Sequence, residues 1–367
     1  MKRLLVLNTG SSSLKWTVLE REGQVVAEST KPWHSDDTTS RVAQLAEAFE
    51  QLPAFDCVGH RVVHGGVRFS KPVWIDDQVR SALAELTPLA PEHMGLALLG
   101  IDAVSRTFPG IQQAAVFDTA FHATLSEAAA GYGLPLAWTE RHGIRRFGFH
   151  GLSVSYACRR VRELLQVMPS RLIVCHLGSG CSVTAVKDGA SVDTTMGFSP
   201  MEGLMMASRS GSVDPGALLY LLERGETVAS LREGLSHQSG LLGVSGISRD
   251  LRQVRAAATK GDARAQLAID RFVLSIQRNV GAMAAVLGGV DAIVFTGGIG
   301  EHDGALRDAV ASALSFAGVQ IAPESNRSGE GDREISTPTG KVRVYVIVAR
   351  EDQEILTNVL RLPSGRP

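Results

Sequence analysis

The chain has 367 residues, 44% of them hydrophobic, and its 37 lysines and arginines are balanced by 38 aspartates and glutamates. This composition is typical of a globular protein with room for two domains, and the balanced charge argues against nucleic acid as a partner. No apolar run is long enough to span a membrane, the N-terminus resembles no signal peptide, and the cysteines show no C-x-x-C pairing. We therefore expect a cytoplasmic protein with reduced thiols.

The first predicted element is an apolar strand over residues 4–7 that runs into Asn8, Thr9 and Gly10. An alternating strand over residues 14–19 follows, and Glu22-Gly23 predicts a turn after it. A glycine at a strand end allows backbone N–H groups to approach a phosphate, because no Cβ stands in the way. The pattern therefore predicts a phosphate-binding turn.

Helices and strands alternate along the rest of the chain. Apolar residues at helical spacing predict helices over 41–52, 76–86 and 153–167. Apolar runs predict buried strands over 56–63, 113–117, 172–176, 292–296 and 342–348. Residues 248–287 predict two helices that break at Lys260-Gly261-Asp262, with Asp262 as an N-cap. The polar stretch over 324–341 predicts an exposed loop.

The strand-to-glycine pattern occurs three times, and its first two copies match beyond the glycine. Sliding one copy onto the other gives these pairs: Leu4 on Leu172, Val6 on Val174, Asn8 on His176, Gly10 on Gly178, Ser11 on Ser179 and Val18 on Val186. The third copy is Phe295-Thr296-Gly297-Gly298-Ile299-Gly300. We interpret the match as an internal duplication of a whole α/β domain, with a mixed sheet in each half and a nucleotide between the halves.

Other nucleotide-binding motifs are absent from the sequence. It contains no G-x-x-x-x-G-K-[ST] motif, no G-x-G-x-x-G after the first strand and no protein-kinase motif set. The duplicated glycine-ended hairpin resembles the layout of the actin, hexokinase and Hsp70 superfamily. The resemblance implies two actin-like ATPase (ribonuclease H-like) domains with a nucleotide cleft between them. We expect their limits to be 1–149 plus 353–367, and 150–352.

Seven sequence blocks resemble the acetate kinase family, in the same order and over nearly the whole chain. They are Asn8-Thr9-Gly10-Ser11-Ser12-Ser13-Leu14-Lys15, His60-Arg61-Val62-Val63-His64-Gly65-Gly66, Phe117-Asp118-Thr119-Ala120-Phe121-His122, Phe147-Gly148-Phe149-His150-Gly151, His176-Leu177-Gly178, Asp193 through Arg209-Ser210-Gly211 to Asp214-Pro215, and Phe295-Thr296-Gly297-Gly298-Ile299-Gly300-Glu301. The resemblance implies transfer of the ATP γ-phosphoryl group to acetate, giving acetyl phosphate and ADP, and the reverse reaction. It also implies Mg²⁺, with Mn²⁺ as an alternative, and a homodimer.

Such a reaction needs alignment and charge neutralisation more than it needs a base, because a carboxylate is already ionised at neutral pH. The resemblance implies catalytic roles for Arg61, His93, Asp118, His150 and Arg209. It implies substrate contacts for Arg61, Val63, His122, Phe149 and Pro200. It implies metal contacts for Asn8 and Glu351, with Asp352 as the alternative carboxylate; oxygen ligands suit Mg²⁺.

Four segments are expected to bind the nucleotide. They are Ser11, Ser13 and Lys15 on one face of the first hairpin, then His176, Gly178, Ser179 and Gly180, then Asp250, Leu251 and Arg252, and finally Gly298, Ile299, Gly300 and His302. Leu251 replaces an aromatic residue of the family, which removes a stacking face for adenine.

Departures from the family pattern leave alternatives open. Glu92 stands where an apolar residue usually walls the acyl pocket, so either it turns away or the pocket accepts another acid, such as propionate. Ser179, His302 and the altered block around Glu351 also allow a weakly catalytic nucleotide-binding protein. A sugar kinase is disfavoured, because the arginines suit an anionic acceptor.

Overall fold

A computed structural model of the chain describes residues 1–10, 13–35 and 37–363. Its strands are β1 (Arg3–Thr9), β2 (Ser13–Glu20), β3 (Val25–Pro32), β4 (Cys57–Val62), β5 (Val73–Trp74), β6 (Gln112–Phe117), β7 (Arg171–Leu177), β8 (Cys181–Lys187), β9 (Ala190–Thr194), β10 (Ala292–Thr296), β11 (Arg333–Glu334) and β12 (Arg343–Val346). Its helices are α1 (Thr38–Glu50), α2 (Asp77–Glu85), α3 (Pro91–Thr107), α4 (Glu127–Ala130), α5 (Leu136–His142), α6 (Gly151–Leu165), α7 (Pro215–Glu223), α8 (Val228–His237), α9 (Gly240–Ser245), α10 (Leu251–Thr259), α11 (Ala263–Leu287), α12 (Gly297–His302), α13 (Gly304–Ser312), α14 (Pro323–Arg327) and α15 (Glu351–Leu360). None of the helices in these described ranges has the length and apolar character needed to cross a membrane.

The chain folds into two compact units. The first unit comprises Met1–Ala123 and Arg350–Pro367, and the second comprises Thr124–Ala349. Residues 124–149, which the sequence analysis assigns to the first domain, contact the second sheet: the Arg146 guanidinium donates to the carbonyl of Thr194 at 2.9 Å. The division into units does not test the domain limits expected from the sequence, 1–149 plus 353–367 and 150–352, which stay a prediction.

Each unit contains a six-stranded mixed sheet, and the two sheets have the same strand order. The first sheet runs β3-β2-β1-β4-β6-β5 and the second runs β9-β8-β7-β10-β12-β11. The three strands β1, β4 and β6 are parallel, as are their counterparts β7, β10 and β12. The remaining pairings are antiparallel in both sheets. This correspondence confirms the duplicated α/β architecture predicted from the two hairpins.

The two hairpins differ by one residue in register. Leu4 pairs with Leu19 in the first, whereas Leu172 pairs with Val186 in the second. Val186 therefore corresponds to Leu19, not to Val18 as the sequence match predicts. The turn after β7 is tighter by one position, which explains the shift.

Helices cover the sheets and hold their central strands in the interior. Helices α3 and α15 pack against β4, and α6 and α11 pack against β7. Every residue of β10 is buried, as expected for a parallel strand that is covered on both faces. Burial of these apolar strands stabilises the sheets and fixes the positions of their carboxyl ends.

Most predicted elements are confirmed, including the N-cap of α11, where the Asp262 side chain accepts from the Ala265 N–H. Besides the match of Val186 to Val18, two predictions of local structure are wrong. The third glycine segment is the short helix α12, which begins at Gly297 with φ +76°, where a Cβ would lie 2.8 Å from the Leu177 carbonyl oxygen. The stretch 324–341 is not simply an exposed loop, because it contains most of α14, the strand β11 and the buried Asn326. Helix α3 was not predicted.

Candidate active site

Three polar residues of the first unit lie at the carboxyl ends of its parallel strands. Asn8 lies near the end of β1, Arg61 lies near the end of β4, and Asp118 directly follows β6. Because β1, β4 and β6 are neighbours and parallel, these ends meet at one edge of the sheet. This edge is the usual location of ligand sites in open α/β sheets.

Arg61 and Asp118 form a two-point ion pair at this edge. Arg61 Nε donates to Asp118 Oδ1 at 3.1 Å, and the second guanidinium nitrogen, Nη2, donates to Oδ2. The Asp118 side chain is only 1% exposed, while that of Arg61 is 16% exposed. Arg61 Nη1 also donates to Asn8 Oδ1 at 3.4 Å. The sheet thus holds one partly accessible guanidinium against a buried carboxylate.

The C-terminal helix supplies a second carboxylate to the same guanidinium. Glu351, in the first turn of α15, has Oε2 3.5 Å from Arg61 Nε. Asp352 instead accepts from Arg350, from Nε at 3.1 Å and from Nη2 at 3.0 Å. The structure therefore places Glu351, and not Asp352, beside Arg61.

The charges at this edge perturb one another. Burial raises the pKa of the Asp118 carboxyl above its ordinary value; Arg61 opposes this and Glu351 reinforces it. Burial also disfavours the charged guanidinium, but Asp118 and Glu351 outweigh that effect and raise the pKa of Arg61. One cation thus faces two carboxylates, an excess of negative charge that a divalent cation would balance.

The oxygen atoms present fit Mg²⁺. The described residues contain no group of three or more His, Cys, Asp or Glu side chains arranged to hold a metal ion. Asn8, Asp118 and Glu351 offer an amide oxygen and two carboxylates around Arg61. Mg²⁺ keeps several waters and uses few protein oxygens together with substrate phosphates, so a small oxygen set of this kind suffices.

Other predicted residues of the first unit lie on separate elements. Lys15 is exposed on β2 and pairs in register with Asn8, while Ser13 begins the same strand. His122 is buried in a short 3₁₀ segment, Ala120–Thr124, and Val63 directly follows β4. Ser11 lies outside the described residues.

Glu92 and His93 lie in the first turn of α3. The Glu92 side chain is exposed and His93 is half-buried. A carboxylate in the first helical turn is favoured by the helix dipole. The concern that Glu92 would be a carboxylate buried in an apolar pocket therefore does not arise.

In the second unit, His150 and His176 stack on each other. Their ring centroids are 4.1 Å apart and the ring planes are inclined by 29°. His150 has φ +58° at the N-cap of α6, a left-handed conformation that is uncommon outside glycine. Strain of this kind persists only where surrounding structure holds it, and it occurs often at functional sites.

The glycine turn between β7 and β8 lies beside these rings and beside Arg209. A Cβ added to Gly180 would lie 3.4 Å from His150 Nε2 and 3.5 Å from Arg209 Nη1. Arg209 Nη1 also donates to the carbonyl of Pro200 at 3.1 Å. The second unit therefore brings together His150, His176, Gly180, Arg209 and Pro200. A turn whose glycines carry no side chain, beside a guanidinium and imidazoles, suits phosphate oxygens.

The remaining predicted nucleotide residues have local structural roles. The Asp250 carboxylate accepts from the Arg252 N–H at 2.9 Å at the start of α10 and from the Arg252 side chain. Leu251 is buried, while His302 is exposed in the last turn of α12. Phe149 is buried next to His150. Their predicted contacts with ligand stay predictions.

Two polar networks, the first half-buried and the second buried, were not predicted from the sequence. Tyr132 donates to Glu202, Arg146 Nη2 donates to Glu202 Oε1 at 2.8 Å, and the Tyr132 hydroxyl accepts from the Phe198 N–H at 2.9 Å. Arg307 donates through Nη1 to the carbonyl of Gly300, in α12, at 2.8 Å. The adjacent arginines Arg145 and Arg146 are the one local feature of the sequence that points to either network.

Comparisons with known proteins show the family to which the chain belongs. The model of the acetokinase family matches residues 24–357. The acetate kinase of Thermosynechococcus vestitus is 42% identical over 402 residues, covering 97% of this chain and 97% of that protein. The crystal structure of Porphyromonas gingivalis acetate kinase matches with a TM-score of 0.89 and 37% identity, covering 98% of this chain and 99% of that one. A propionate kinase structure from Francisella tularensis matches with a TM-score of 0.89 and 34% identity, covering 98% of this chain and 99% of that one. These matches confirm the predicted duplicated actin-like fold, and the chain belongs to the acetokinase family.

Proposed function

We propose that this chain catalyses the ATP-dependent phosphorylation of acetate to acetyl phosphate, and the reverse reaction, by direct in-line phosphoryl transfer. The observation that carries the proposal is the Arg61 guanidinium, held by Asp118 and faced by Glu351, in a chain whose full-length relatives are named acetate kinases. A fixed guanidinium at the edge of a sheet is suited to an anionic acceptor.

The acceptor carboxylate is its own nucleophile. It is ionised at neutral pH, so no side chain has to remove a proton before attack. The protein is left with two tasks, which are to align the acceptor oxygen with the γ-phosphorus and to neutralise the charge of the transferring phosphoryl group.

The first unit contributes Arg61, which binds the carboxylate or a phosphoryl oxygen through Nη1, the nitrogen atom that Asp118 does not occupy. Asp118 orients this guanidinium and would help to hold the metal, directly or through water. Val63 and His122 contact the acetate, and His93 supports the reaction from the start of α3. Lys15, Ser11 and Ser13 bind phosphate oxygens.

The second unit contributes donors for the phosphoryl oxygens. His150 and Arg209 donate to them as charge builds up in the transition state, where fixed donors have their largest effect. Phe149 and Pro200 form the apolar wall for the methyl group. His176, Gly178, Ser179 and Gly180 bind the phosphate chain. The adenosine contacts are assigned to the remaining nucleotide residues, namely Asp250, Leu251, Arg252, Gly298, Ile299, Gly300 and His302.

Asn8 and Glu351 would hold Mg²⁺ through their oxygen atoms or through bound water, with Mn²⁺ as the alternative. When bound, the metal neutralises charge on the phosphate oxygens and orients them. Glu351 is the better candidate than Asp352, because Asp352 is engaged with Arg350.

A homodimer formed through the second unit is supported by the surface of α7. Leu219 and Tyr220 are 61% and 54% exposed, and no described residue of this apolar helix is buried. A contiguous apolar surface of this kind is typical of an interaction site. A cytoplasmic location is supported by the four cysteines, Cys57, Cys158, Cys175 and Cys181, which are unbridged and buried.

Propionate is the second candidate acceptor, because a propionate kinase structure matches this chain with the same TM-score, 0.89, as an acetate kinase structure does. A protein that binds nucleotide but transfers little phosphate is the third candidate, suggested by Ser179, His302 and the residues around Glu351. Acetate and propionate differ by one methylene group, and an apolar pocket distinguishes such a difference by about 1–3 kcal/mol.

The test is hydroxamate trapping of acyl phosphate with ATP, Mg²⁺ and a panel of acids that includes acetate, propionate and butyrate. We expect acetyl hydroxamate at the highest kcat/KM. A higher kcat/KM for propionate would select the second candidate. ATP binding without acyl phosphate from any acid would select the third and overturn the proposal.

A further inference from the structure

The stacked histidines of the second unit are each anchored by a serine. The Nδ1 atom of His150 lies 3.0 Å from Ser182 Oγ, and the Nδ1 atom of His176 lies 2.8 Å from Ser153 Oγ. The same ring atom is used in both pairs. Each imidazole is therefore held through Nδ1, with its Nε2 atom on the other side of the ring.

The two pairs brace two elements against each other. Ser153 lies in the first turn of α6, whose N-cap is His150, yet it contacts His176 on β7. Ser182 lies on β8 directly opposite His176 in register, yet it contacts His150. Ser153 and Ser182 are 1% and 0% exposed, so water does not compete for their hydroxyl groups.

Both Nε2 atoms face the glycine turn after β7. A Cβ at Gly180 would lie 3.4 Å from Nε2 of His150, and a Cβ at Gly178 would lie 4.0 Å from Nε2 of His176. In the proposed function, which this inference depends on, that turn binds phosphate oxygens. The imidazole nitrogen that meets the ligand is thus Nε2 in both rings.

Phosphate oxygens only accept hydrogen bonds, so the nitrogen that meets them has to carry a proton. A neutral imidazole carries one N–H, and the partner of the opposite nitrogen decides where it is. Two imidazolium rings stacked at 4.1 Å would repel each other, which disfavours charging both. In a neutral ring, the nitrogen that carries the proton therefore decides whether the ring is able to donate a hydrogen bond to a phosphate oxygen.

We propose that Ser182 and Ser153 are positioning residues whose hydroxyl groups donate hydrogen bonds to Nδ1 of His150 and His176. These hydrogen bonds hold both rings in the tautomer that carries its proton on Nε2. A serine hydroxyl both donates and accepts, so it is able to enforce this tautomer. The serines act on the reaction only through the histidines.

The direct test is ¹⁵N NMR of the full chain labelled at histidine, with His150→Gln and His176→Gln used for assignment. We expect both rings in the wild-type chain to show a protonated Nε2 and an unprotonated Nδ1. In Ser182→Ala we expect His150 alone to move towards a mixture of tautomers. A wild-type His150 protonated on Nδ1 would overturn the proposal. This measurement needs no turnover, so its outcome is independent of the proposed function.

The kinetic test compares Ser182→Ala with Ser182→Thr. We expect kcat to fall about tenfold in the alanine variant, with KM for acetate unchanged, and to recover in the threonine variant, which keeps the hydroxyl. The matched control is Thr184→Val on the same strand, which removes a buried hydroxyl that lies 2.9 Å from Thr194 Oγ1. Full activity of Ser182→Ala, or an equal loss in Thr184→Val, would contradict the positioning role. A wild-type chain that forms no acyl phosphate would instead refute the proposed function.

Discussion

Arg61 and Asp118 are joined by a two-point ion pair across neighbouring parallel strands, with Arg61 Nε 3.1 Å from Asp118 Oδ1. The pair lies where β4 and β6 end, so the backbone fixes both partners. Asn8 and Glu351 approach the same guanidinium from β1 and α15. The direction and accessibility of Arg61 thus depend on four separate elements of the first unit.

Asp118→Asn tests whether this pair supports catalysis. We expect kcat to fall at least about 100-fold, because the amide orients the guanidinium less firmly and no longer attracts a metal ion. We also expect a higher Mg²⁺ requirement. Steady-state kinetics over a range of Mg²⁺ concentrations measure both effects.

The control for this variant is Asp102→Asn. Asp102 forms a similar two-point pair with Arg80 on the same unit, at 2.8 and 2.7 Å, but between partly exposed side chains. We expect its loss to leave kcat unchanged. Similar losses in both variants would mean that Asp118 acts through the stability of the unit.

Glu92→Leu tests the position of Glu92. Because this side chain is exposed in the first turn of α3, its removal is expected to leave the acetate-to-propionate ratio of kcat/KM unchanged. The lost interaction with the helix dipole is expected to cost about 0.3–1 kcal/mol of stability. Val63→Ala serves as the positive control, because it shortens a side chain that is proposed to contact the acid, enlarges the space for the acyl group and is expected to raise the relative rate with propionate. A change in the ratio in Glu92→Leu as large as in Val63→Ala would place Glu92 beside the acid.

The buried side chain of His60 is expected to make the stability of the first unit depend on pH. Burial lowers the pKa of His60 to about 4, against a hydrogen bond between Nε2 and Gln113 Oε1 that opposes the shift. Below about pH 6.5, His60 binds a proton in the unfolded chain but stays neutral in the folded chain. Stability is therefore full above that pH and falls as the pH drops towards 4, by about 3 kcal/mol in total from this group.

The measurement is urea unfolding at several pH values, followed by tryptophan fluorescence, to which the buried Trp16 contributes. His60→Gln is neutral at every pH, so we expect a flatter dependence between pH 6.5 and 4. His142→Gln, a change at an exposed histidine, is expected to keep the wild-type slope. An unchanged slope in His60→Gln would show that other groups cause the acid sensitivity.

Arg307→Met tests the buried arginine beneath α12. Arg307 is 1% exposed, and it donates to the carbonyls of Gly300 and Glu301 and to Asn326 Oδ1, each at 2.8 Å. Burial lowers its pKa to about 10, so it remains charged at neutral pH. Methionine would leave these acceptors unsatisfied, and we expect a loss of about 3 kcal/mol in stability and a higher KM for ATP.

The measurement pairs urea unfolding with the KM for ATP. Arg264→Met, at an exposed position early in α11, is the control and is expected to change neither quantity. A stable Arg307→Met variant with a normal KM for ATP would show that α12 keeps its position without this side chain.

The sequence predicted the features that depend on neighbouring residues. Alternating apolar residues and a following glycine are local, so both hairpins were predictable, including the turn at Gly23, which has φ +94°. Helix α3 was missed because Pro91 and Gly95 obscure its pattern, although proline is well tolerated in the first turn of a helix.

Contacts between distant residues were beyond sequence reasoning. Tyr132 and Glu202 are 70 positions apart, and nothing local indicates that they meet. Ser182 was passed over because a serine in a strand is ordinary until the facing histidine is known. The family resemblance supplied Arg61, Asp118 and Glu351, but only the structure chose Glu351 over Asp352 as the residue beside Arg61.

The central claim is that a carboxylate receives the γ-phosphoryl group of ATP, and ³¹P NMR of the running reaction tests it most directly. With ATP, Mg²⁺ and excess acetate, we expect an acetyl phosphate signal to appear in step with ADP while the γ-phosphate signal declines. In Arg209→Ala we expect this conversion to slow at least about 100-fold. Inorganic phosphate as the only product, or an Arg209→Ala variant that forms acetyl phosphate at the wild-type rate, would contradict the account.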